Sequence, residues 1–339
     1  MKKKVELTII LPCYNVEKYI AECLDSLYAQ DLPETEYEVI CVNDCSPDGT
    51  RDLILKYKKK HKNLILIDHV VNKKQGEARN TGLRAAHGNY IWFVDPDDYI
   101  EKNIVSKLLN LCDNELDILI FNYTRLLPNG ELITMDLTTN SKVISGEQLC
   151  LQVRNLWDLI WLPFKLFRRD FLEKNKIEFI DFNYFEDLDF VIRALCKSEK
   201  AKTLSDHVYY YRQTPNSTSS NLGINIIKGK ENYMSNIYVG SRIIDISKIV
   251  VDQNLAKLLH EGGTWRINQF TKPLIKAHIA EKKIFFMLIN KNKFIMNELY
   301  PYFNQSNKFI VKFSILSKSM MIVFNPFVQL LFKVKQWKR

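Results

Sequence analysis

Apolar and acidic residues meet abruptly in Tyr90-Ile91-Trp92-Phe93-Val94-Asp95-Pro96-Asp97-Asp98. The apolar part is rich in aromatic and β-branched side chains, which is typical of a buried strand. Three carboxylates follow its carboxyl end, and Pro96 stiffens the turn that carries them. Open α/β sheets bind ligands at that edge, where oxygen ligands suit Mg²⁺ or Mn²⁺ carrying a diphosphate. Taken alone, the same residues are more often a solvated turn that caps the helix expected from about residue 102.

Strands and helices alternate along the chain before this stretch. Apolar runs of strand length occupy residues 5–11, 37–42 and 64–67, and apolar residues recur at helical spacing in 19–30, from Thr50 onward, and in 77–86. Such alternation predicts an α/β fold with a mostly parallel sheet and helices on both faces. A dinucleotide-binding fold is disfavoured, because Pro12-Cys13-Tyr14-Asn15 replaces the glycine-rich turn after the first strand.

Polar residues follow the carboxyl end of each predicted strand: Tyr14 and Glu17, then Asp44, then Gly76 and Arg79, then Asp95 and Asp97. Because parallel strands end at the same edge of a sheet, we expect these residues to converge on one crevice. Each also has a structural explanation when taken singly, as a core aromatic, a capping acid, a solvated arginine or a glycine that permits a tight turn.

These residues belong to four motifs, which are Pro12-x-Tyr14-Asn15, Val42-Asn43-Asp44-x-Ser46-x-Asp48-Gly49-Thr50, Gly76-x-x-x-Asn80-x-Gly82 and Asp95-x-Asp97-Asp98. In this order and spacing they resemble the family 2 glycosyltransferases of the GT-A (Rossmann-like) fold, of the inverting, bacterial surface-polysaccharide type. The resemblance covers roughly residues 5–125. It departs at Cys45, where the family often has glycine, and at Pro96, where it often has serine or alanine, but neither change removes an oxygen ligand.

The resemblance implies a role for each matching residue. The donor nucleotide would be held by Pro12, Tyr14, Glu17, Asp44, Gly76, Arg79, Asp95 and Arg212, with Asp44 on uracil or ribose. Mn²⁺ or Mg²⁺ would be bound by Asp97 and Asp95. Arg212 leads the hydroxyl-rich residues 213–220, a pattern that suits phosphate oxygens and that is also compatible with a flexible linker.

A second acidic group, Glu186-Asp187-Leu188-Asp189, opens a further predicted helix. Acids in a first helical turn are favoured by the helix dipole, so capping is the structural explanation. The resemblance instead implies that Asp187 is the catalytic base with Glu186 beside it. Asp189 would point elsewhere, because it lies two residues further round the helix.

Composition limits the class of protein. Lys and Arg exceed Asp and Glu by 48 to 39, giving a net charge of +9. Seven cysteines without a Cys-x-x-Cys pair argue against zinc and against a disulfide framework. The N-terminus lacks the pattern of a secretory signal and no apolar run reaches 18 residues, so we expect a cytoplasmic protein.

Two regions are predicted: a nucleotide-sugar-binding and catalytic domain at 1–220 and a helical region at 221–339. After Glu298 the chain has seven Lys or Arg and no acid. The tail at 309–339 mixes these cations with apolar clusters, which fits a peripheral contact with anionic lipid on the inner face of the cell membrane. Packing of the tail on the helical region, or a dimer contact, fits it as well.

We predict a transfer of sugar from a nucleoside diphosphate, UDP in preference to others, to a hydroxyl of a saccharide acceptor, and the resemblance implies that the transfer is inverting. The basic tail favours a lipid-linked acceptor. The alternative is a non-catalytic module on the same scaffold that binds a nucleotide-sugar or a polysaccharide. Nucleic acid is not an expected partner, because the tail is too apolar and lacks basic and aromatic residues interleaved on a strand platform.

Overall fold

The computed structural model describes residues 5–113, 115–137, 142–153, 156–181, 184–214, 226–269, 296, 298–305 and 308. The chain divides into one compact unit of Met1–Ser217 with Val250–Leu255, and a second of Thr218–Ile249 with Ala256–Arg339. The boundary predicted at 220/221 falls in residues outside the described ranges and stays a prediction. No helix within the described ranges is long and apolar enough to cross a membrane.

The first part of the chain alternates strands and helices as predicted. Its elements are β1 (Leu7–Cys13), α1 (Ile20–Tyr28), β2 (Tyr37–Asn43), α2 (Thr50–Lys60), β3 (Leu64–Asp68), α3 (Lys74–Ala85) and β4 (Tyr90–Phe93). β1 pairs in parallel with β2 and β4, and β2 pairs in parallel with β3. The apolar residues Tyr90–Phe93 therefore form a strand beside β1, and the carboxyl end of that strand leads to Asp95.

The strands that follow extend this sheet on the β4 side, whereas β3 stays at its other edge. The elements of this part are β5 (Tyr99–Ile100), α4 (Val105–Cys112), β6 (Ile118–Leu126), β7 (Leu132–Met135), α5 (Gly146–Gln152), β8 (Lys165–Arg168), α6 (Arg169–Lys174), α7 (Glu186–Lys197) and β9 (Ala201–Arg212). Among the described residues the strand order is β3-β2-β1-β4-β8-β6-β9-β5, with β7 paired to β6. β8 is antiparallel to both β4 and β6, so the sheet is mixed rather than parallel throughout.

The two faces of β1 bury different neighbours, as the two-residue period of a strand requires. Leu7, Ile9 and Leu11 join a core that also contains Trp92 and Phe121. Ile10 points to the other face and meets α3 at Gly82. The helix can approach the sheet closely because Gly82 has no side chain.

Local sequence favours Thr50 as the cap of α2 and Gly88 as the end of α3, and the structure shows neither. Thr50 is not the cap of α2: Gly49 occupies that position, and the Thr50 hydroxyl accepts a hydrogen bond from the Val16 amide at 2.9 Å. Gly88 does not end α3, because the helix is capped at Ala86. Gly88 instead lies against the β1 backbone, where a Cβ would be 2.4 Å from the Thr8 nitrogen.

The second unit contains the helix α8 (Ile226–Ser247) and all but the first three residues of α9 (Gln253–Ile267). Ile237, Val239, Ile243 and Ile246 of α8 are buried. Gly240 and Gly263 face each other so closely that a Cβ on Gly263 would be 2.6 Å from the Gly240 carbonyl oxygen. The helical prediction for the first half of this region is confirmed, whereas most of 270–339 lies outside the described residues.

We expect Gly82→Ala to destabilise the protein by about 1–3 kcal/mol, because its Cβ would lie 2.4 Å from Ile10 Cγ2 in a packed core. Without that contact the change would stabilise an α-helix by about 1 kcal/mol. Urea unfolding followed by far-UV circular dichroism measures the difference. The double variant Gly82→Ala with Ile10→Ala is the control and should cost less than the sum of its two single changes. A more stable Gly82→Ala protein would mean that α3 does not pack on β1 in this way.

Candidate active site

The loops after β1 and β2 are joined by hydrogen bonds at the carboxyl edge of the sheet. Gly49 donates its amide to Glu17 Oε2 at 2.9 Å, and the Glu17 amide donates to Asp48 Oδ2 at 3.0 Å. Pro12 is buried within β1, whereas Tyr14 is 47% exposed beyond it. The structure therefore brings the first two motifs together, with the Tyr14 ring open to solvent and the Glu17 carboxylate bound to the neighbouring loop.

Asp44 anchors the loop that leads into α3. Its buried carboxylate accepts hydrogen bonds from the amides of Lys73 at 2.7 Å and Lys74 at 2.8 Å, and lies 2.7 Å from His69 Nδ1. Lys74 adopts a left-handed φ of 72°, which these contacts hold in place. Most of the acceptor capacity of the Asp44 carboxylate is thus used within the protein, so the predicted contact with uracil or ribose stays a prediction.

Arg79 joins the two acidic groups of the sequence. From the buried face of α3 it donates to Asp95 Oδ1 at 3.0 Å and to Glu186 Oε1 at 2.9 Å. Its guanidinium also lies over the Phe179 ring, 5.5 Å from the centroid. Burial by itself would lower the pKa of Arg79, but the Asp95 and Glu186 carboxylates outweigh it and raise the pKa. The predicted solvated-arginine explanation is therefore excluded, since only 4% of the residue is exposed.

Glu186 is a buried partner of Arg79 rather than an open side chain. Burial and the adjacent Asp187 raise the pKa of Glu186 to about 7, although Arg79 opposes both effects. A Cβ on Gly76 would lie 3.1 Å from Glu186 Cγ, so the glycine lets the start of α3 approach the start of α7. The close approach of Gly76 and Glu186 thus places the acidic group at the start of α7 beside the acidic group that follows β4.

Asp187 is the most accessible of the three acids in the first turn of α7. Glu186 and Asp189 are buried, and Asp189 bonds Arg193 one helical turn away at 2.7 Å. Asp187 is partly exposed and accepts the Leu188 amide at 2.8 Å. Phe185, which precedes the helix, has a left-handed φ of 65°. This conformation is uncommon for an aromatic residue and is found where the surrounding structure must orient a functional side chain.

The three carboxylates after β4 differ in how deeply they are buried. Asp98 is buried and accepts hydrogen bonds from the Tyr209 hydroxyl and the Arg212 amide, each at 2.7 Å. Asp95 and Asp97 are partly exposed, and burial together with Asp95 raises the pKa of Asp97 to about 6. Asp98 therefore ties the turn to β9, while the other two carboxylates face the edge of the site.

Arg212 stands next to this turn but is already bound within it. Its guanidinium donates to the Asp97 carbonyl at 3.0 Å and to Glu22 Oε2 at 2.6 Å. It also packs between the rings of Tyr19 and Tyr99, 5.5 and 5.6 Å from their centroids. The hydroxyl-rich loop predicted to follow it lies outside the described residues from 215 onward. The predicted contact of Arg212 with a diphosphate stays a prediction.

The exposed carboxylates fit a divalent cation that is bound jointly with a substrate. Within the described residues, no cluster of three or more His, Cys, Asp or Glu side chains could hold a metal by itself. Mg²⁺ and similar cations are commonly bound by one or two carboxylates together with phosphate oxygens and water. Asp95 and Asp97 meet that requirement as two partly exposed carboxylates on one turn.

Comparisons with known proteins identify the same region. The model of glycosyl transferase family 2 matches residues 8–176. A poly(ribitol-phosphate) beta-glucosyltransferase of Bacillus spizizenii is 35% identical over 210 residues, which is 61% of this chain and 32% of that protein. The uncharacterized glycosyltransferase EpsJ of Bacillus subtilis is 33% identical over 216 residues, or 62% of each chain. The aligned region therefore spans less than two thirds of each of these relatives.

The fold is also found among solved structures. The crystal structure of residues 1–349 of S. aureus TarS in complex with UDP-GlcNAc matches with a TM-score of 0.69 at 23% identity, over 98% of this chain and 92% of that one. This likeness confirms the predicted GT-A fold followed by a helical region.

Glu186 provides a test of the site through the pH dependence of stability. Its pKa is about 7 in the folded protein and about 4.3 in an unfolded chain. Between these values the folded state binds more protons, so the free energy of unfolding should fall as pH rises from about 4.5 to 7. We expect wild type to lose roughly 1–3 kcal/mol relative to Glu186→Gln over that range. Urea unfolding at pH 5 and 7.5 measures this loss. A constant difference between the two proteins would show that Glu186 is not a buried, proton-binding group.

Proposed function

Because the chain belongs to glycosyl transferase family 2, we propose that it transfers a sugar from a nucleoside diphosphate, UDP, to a hydroxyl group of a saccharide acceptor in surface polysaccharide synthesis. The observation that carries this proposal is the Arg79 bridge, which brings a cation-binding turn and a candidate base to one edge of the sheet. The relatives named for poly(ribitol-phosphate) glucosyl transfer, and the TarS structure with UDP-GlcNAc, support the proposal.

In the proposed reaction, the oxygen of the acceptor hydroxyl attacks the anomeric carbon of the donor sugar. The bond from that carbon to the diphosphate oxygen breaks as the new bond forms, and attack from the opposite side inverts the configuration. Asp187 accepts the hydroxyl proton, since it is the accessible carboxylate of its group. Glu186 does not face the acceptor in this scheme, because it is buried against Arg79 and holds the base segment in place.

The diphosphate that leaves must be stabilised at the other side of the site. Asp97 and Asp95 would hold Mn²⁺ or Mg²⁺, which when bound neutralises charge that develops on the diphosphate. Tyr14 offers an exposed ring for the base, beside the linked loops of Glu17 and Asp48. Arg212 is close enough to the turn to contribute if a phosphate replaces Glu22 as its partner.

A non-catalytic nucleotide-sugar or polysaccharide-binding module is the competing function. It predicts donor binding without turnover, and it needs no accessible carboxylate at Asp187. A lipid-linked acceptor and a peripheral membrane contact stay predictions, because the basic tail at 309–339 lies outside the described residues. The distinction between enzyme and binding module therefore depends on Asp187.

We expect Asp187→Asn to lower sugar transfer by about 10²–10⁴-fold, the usual contribution of a general base. Binding of UDP should change little, because the variant keeps the size of the side chain. Glu186→Gln is the matched control: it makes the same change of charge one residue earlier and should retain much more activity, since Gln can still accept from Arg79. Release of UDP in the presence of acceptor and Mn²⁺ gives the rate. Equal losses in both variants, or loss of UDP binding with activity, would assign Asp187 a structural role.

We expect Asp97→Asn to weaken Mn²⁺-dependent binding of UDP by at least about tenfold, the effect of losing one charge-assisted contact. Calorimetry with UDP, with and without Mn²⁺, measures this change, and GDP, CDP and dTDP-sugar test the choice of base. Asp206→Asn is the control, because Asp206 is a partly exposed carboxylate on β9 that pairs with Lys107. Unchanged binding of UDP with Mn²⁺ by Asp97→Asn would refute the metal assignment.

A further inference from the structure

Arg212, at the end of β9, is held firmly beside the turn that follows β4. Its amide donates to Asp98 Oδ1 at 2.7 Å, and its Nε donates to the Asp97 carbonyl at 3.0 Å. The guanidinium packs between the rings of Tyr19 and Tyr99, 5.5 and 5.6 Å from their centroids. Both the backbone and the side chain of Arg212 are thus fixed next to the candidate cation-binding turn.

The ring of Tyr99 is itself supported by β9. Tyr99 of β5 lies opposite Tyr210 in an antiparallel pair, and the two rings stack with their centroids 4.5 Å apart. The Tyr210 hydroxyl donates to Glu101 Oε2 at 2.6 Å, which connects this stack to the residue after β5. Because the ring beside the guanidinium is packed in this way, movement of Arg212 away from the turn would disturb several contacts.

Glu22 of α1 is the anionic partner of this fixed guanidinium. Its Oε2 accepts a hydrogen bond from Arg212 Nη2 at 2.6 Å. The Glu22 side chain is 57% exposed, against 20% for that of Arg212. Among the residues that the structure describes, Arg212 is the one hydrogen-bond partner of the Glu22 carboxylate. Glu22 can therefore turn into solvent at the loss of one described contact, whereas Arg212 would lose several.

The position of Glu22 in its helix does not explain this contact. Glu22 lies in the first turn of α1, where the helix dipole favours an acid. That effect requires no arginine, yet the carboxylate bonds one that comes 190 positions later in the chain. An ion pair with one exposed partner also contributes little to stability. The location of the pair, at the turn of the candidate site, instead indicates a role in ligand binding.

We propose that Glu22 is a displaceable substitute for the diphosphate of the donor, and that the two compete for Arg212. Carboxylate and phosphate oxygens bind a guanidinium in the same way. A diphosphate bound through a cation on Asp97 would replace the Glu22 carboxylate, which would return to Arg212 when UDP leaves. The inference rests on the proposed function, because it takes UDP as the ligand of this site.

This competition lowers the affinity for the donor. If Arg212 is available to a ligand only while Glu22 is turned away, the apparent Kd equals the intrinsic Kd divided by the available fraction. A partly exposed ion pair changes such an equilibrium by about two- to fivefold. Loss of the contact should therefore tighten binding of UDP, although it removes an interaction of the free protein.

Two substitutions separate the contact from the charge of Glu22. Glu22→Gln removes the charge and weakens the bond to Arg212, whereas Glu22→Asp keeps the charge but is one methylene too short to reach a guanidinium that is held in place. We expect both variants to bind UDP with Mn²⁺ about two- to fivefold more tightly than wild type, measured by calorimetry.

Asp25→Asn is the matched control for charge. It removes one negative charge from the same helix, three residues further on, where Asp25 accepts a hydrogen bond from the Tyr57 hydroxyl at 2.6 Å. Asn can accept the same bond, so this variant should bind UDP with the affinity of wild type. Thermal melting of each variant shows that it is folded.

Three results would overturn the proposal. Unchanged affinity for UDP in both Glu22 variants would show that Glu22 does not compete with the ligand. Weaker binding would mean that Glu22 instead holds Arg212 in place for the ligand. Tighter binding in Glu22→Gln, with wild-type affinity in Glu22→Asp, would show general repulsion of the diphosphate by a negative charge.

The same titrations distinguish failure of this inference from failure of the proposed function. If wild type binds UDP with Mn²⁺ and the Glu22 variants bind it equally well, only the competition is refuted. If neither wild type nor Glu22→Gln binds UDP, the proposed function fails and the competition fails with it. Binding of UDP by Glu22→Gln but not by wild type would support both.

Discussion

The hydrogen bonds of Arg79 to Asp95 and Glu186 connect the two parts of the site. Asp95 follows β4, and Glu186 begins α7 about ninety residues later, yet one buried guanidinium bonds both at 3.0 and 2.9 Å. A planar, permanently charged group can hold two carboxylates in fixed positions, which a lysine ammonium would do less rigidly. The glycines of α3 make this possible: Gly76 admits Glu186, and Gly82 lets the helix lie close to β1.

Acidic side chains are concentrated at this edge against an electrostatic cost. The pKa values of Asp97, Asp98 and Glu186 are all raised, with burial as the largest cause and neighbouring carboxylates next. Hydrogen bonds from other residues offset part of that cost, but for some of these carboxylates more than for others. Asp98 is bonded by Tyr209 and Arg212, and Glu186 by Arg79, so these acids connect separate elements of the fold. Asp97 and Asp187 are more accessible. In the proposed reaction Asp97 binds a cation and Asp187 accepts a proton.

The sequence located the segments that form the site more reliably than it assigned a role to each side chain. It located the β4 turn and the α7 acids, because each depends on local pattern: an apolar run that ends in carboxylates, and acids that open a helix. It missed that Arg79 is internal, that Asp44 holds the α3 loop and that Arg212 is bound by Glu22. It also missed that Lys165 is fully buried, because a buried lysine and an exposed one have the same local pattern.

The pattern of residues along the chain was sufficient to find the alternation of strands and helices, the carboxyl-edge location of the motifs and the family resemblance. These follow from periodicity and from residue types at fixed spacing, which act within a few residues of one another. The folded structure was needed to show that β8 lies antiparallel beside β4, and which carboxylates are buried, paired or accessible. Burial and ion pairing arise between residues up to 190 positions apart, as between Glu22 and Arg212. Such contacts depend on how helices and strands pack, which spacing along the chain does not encode.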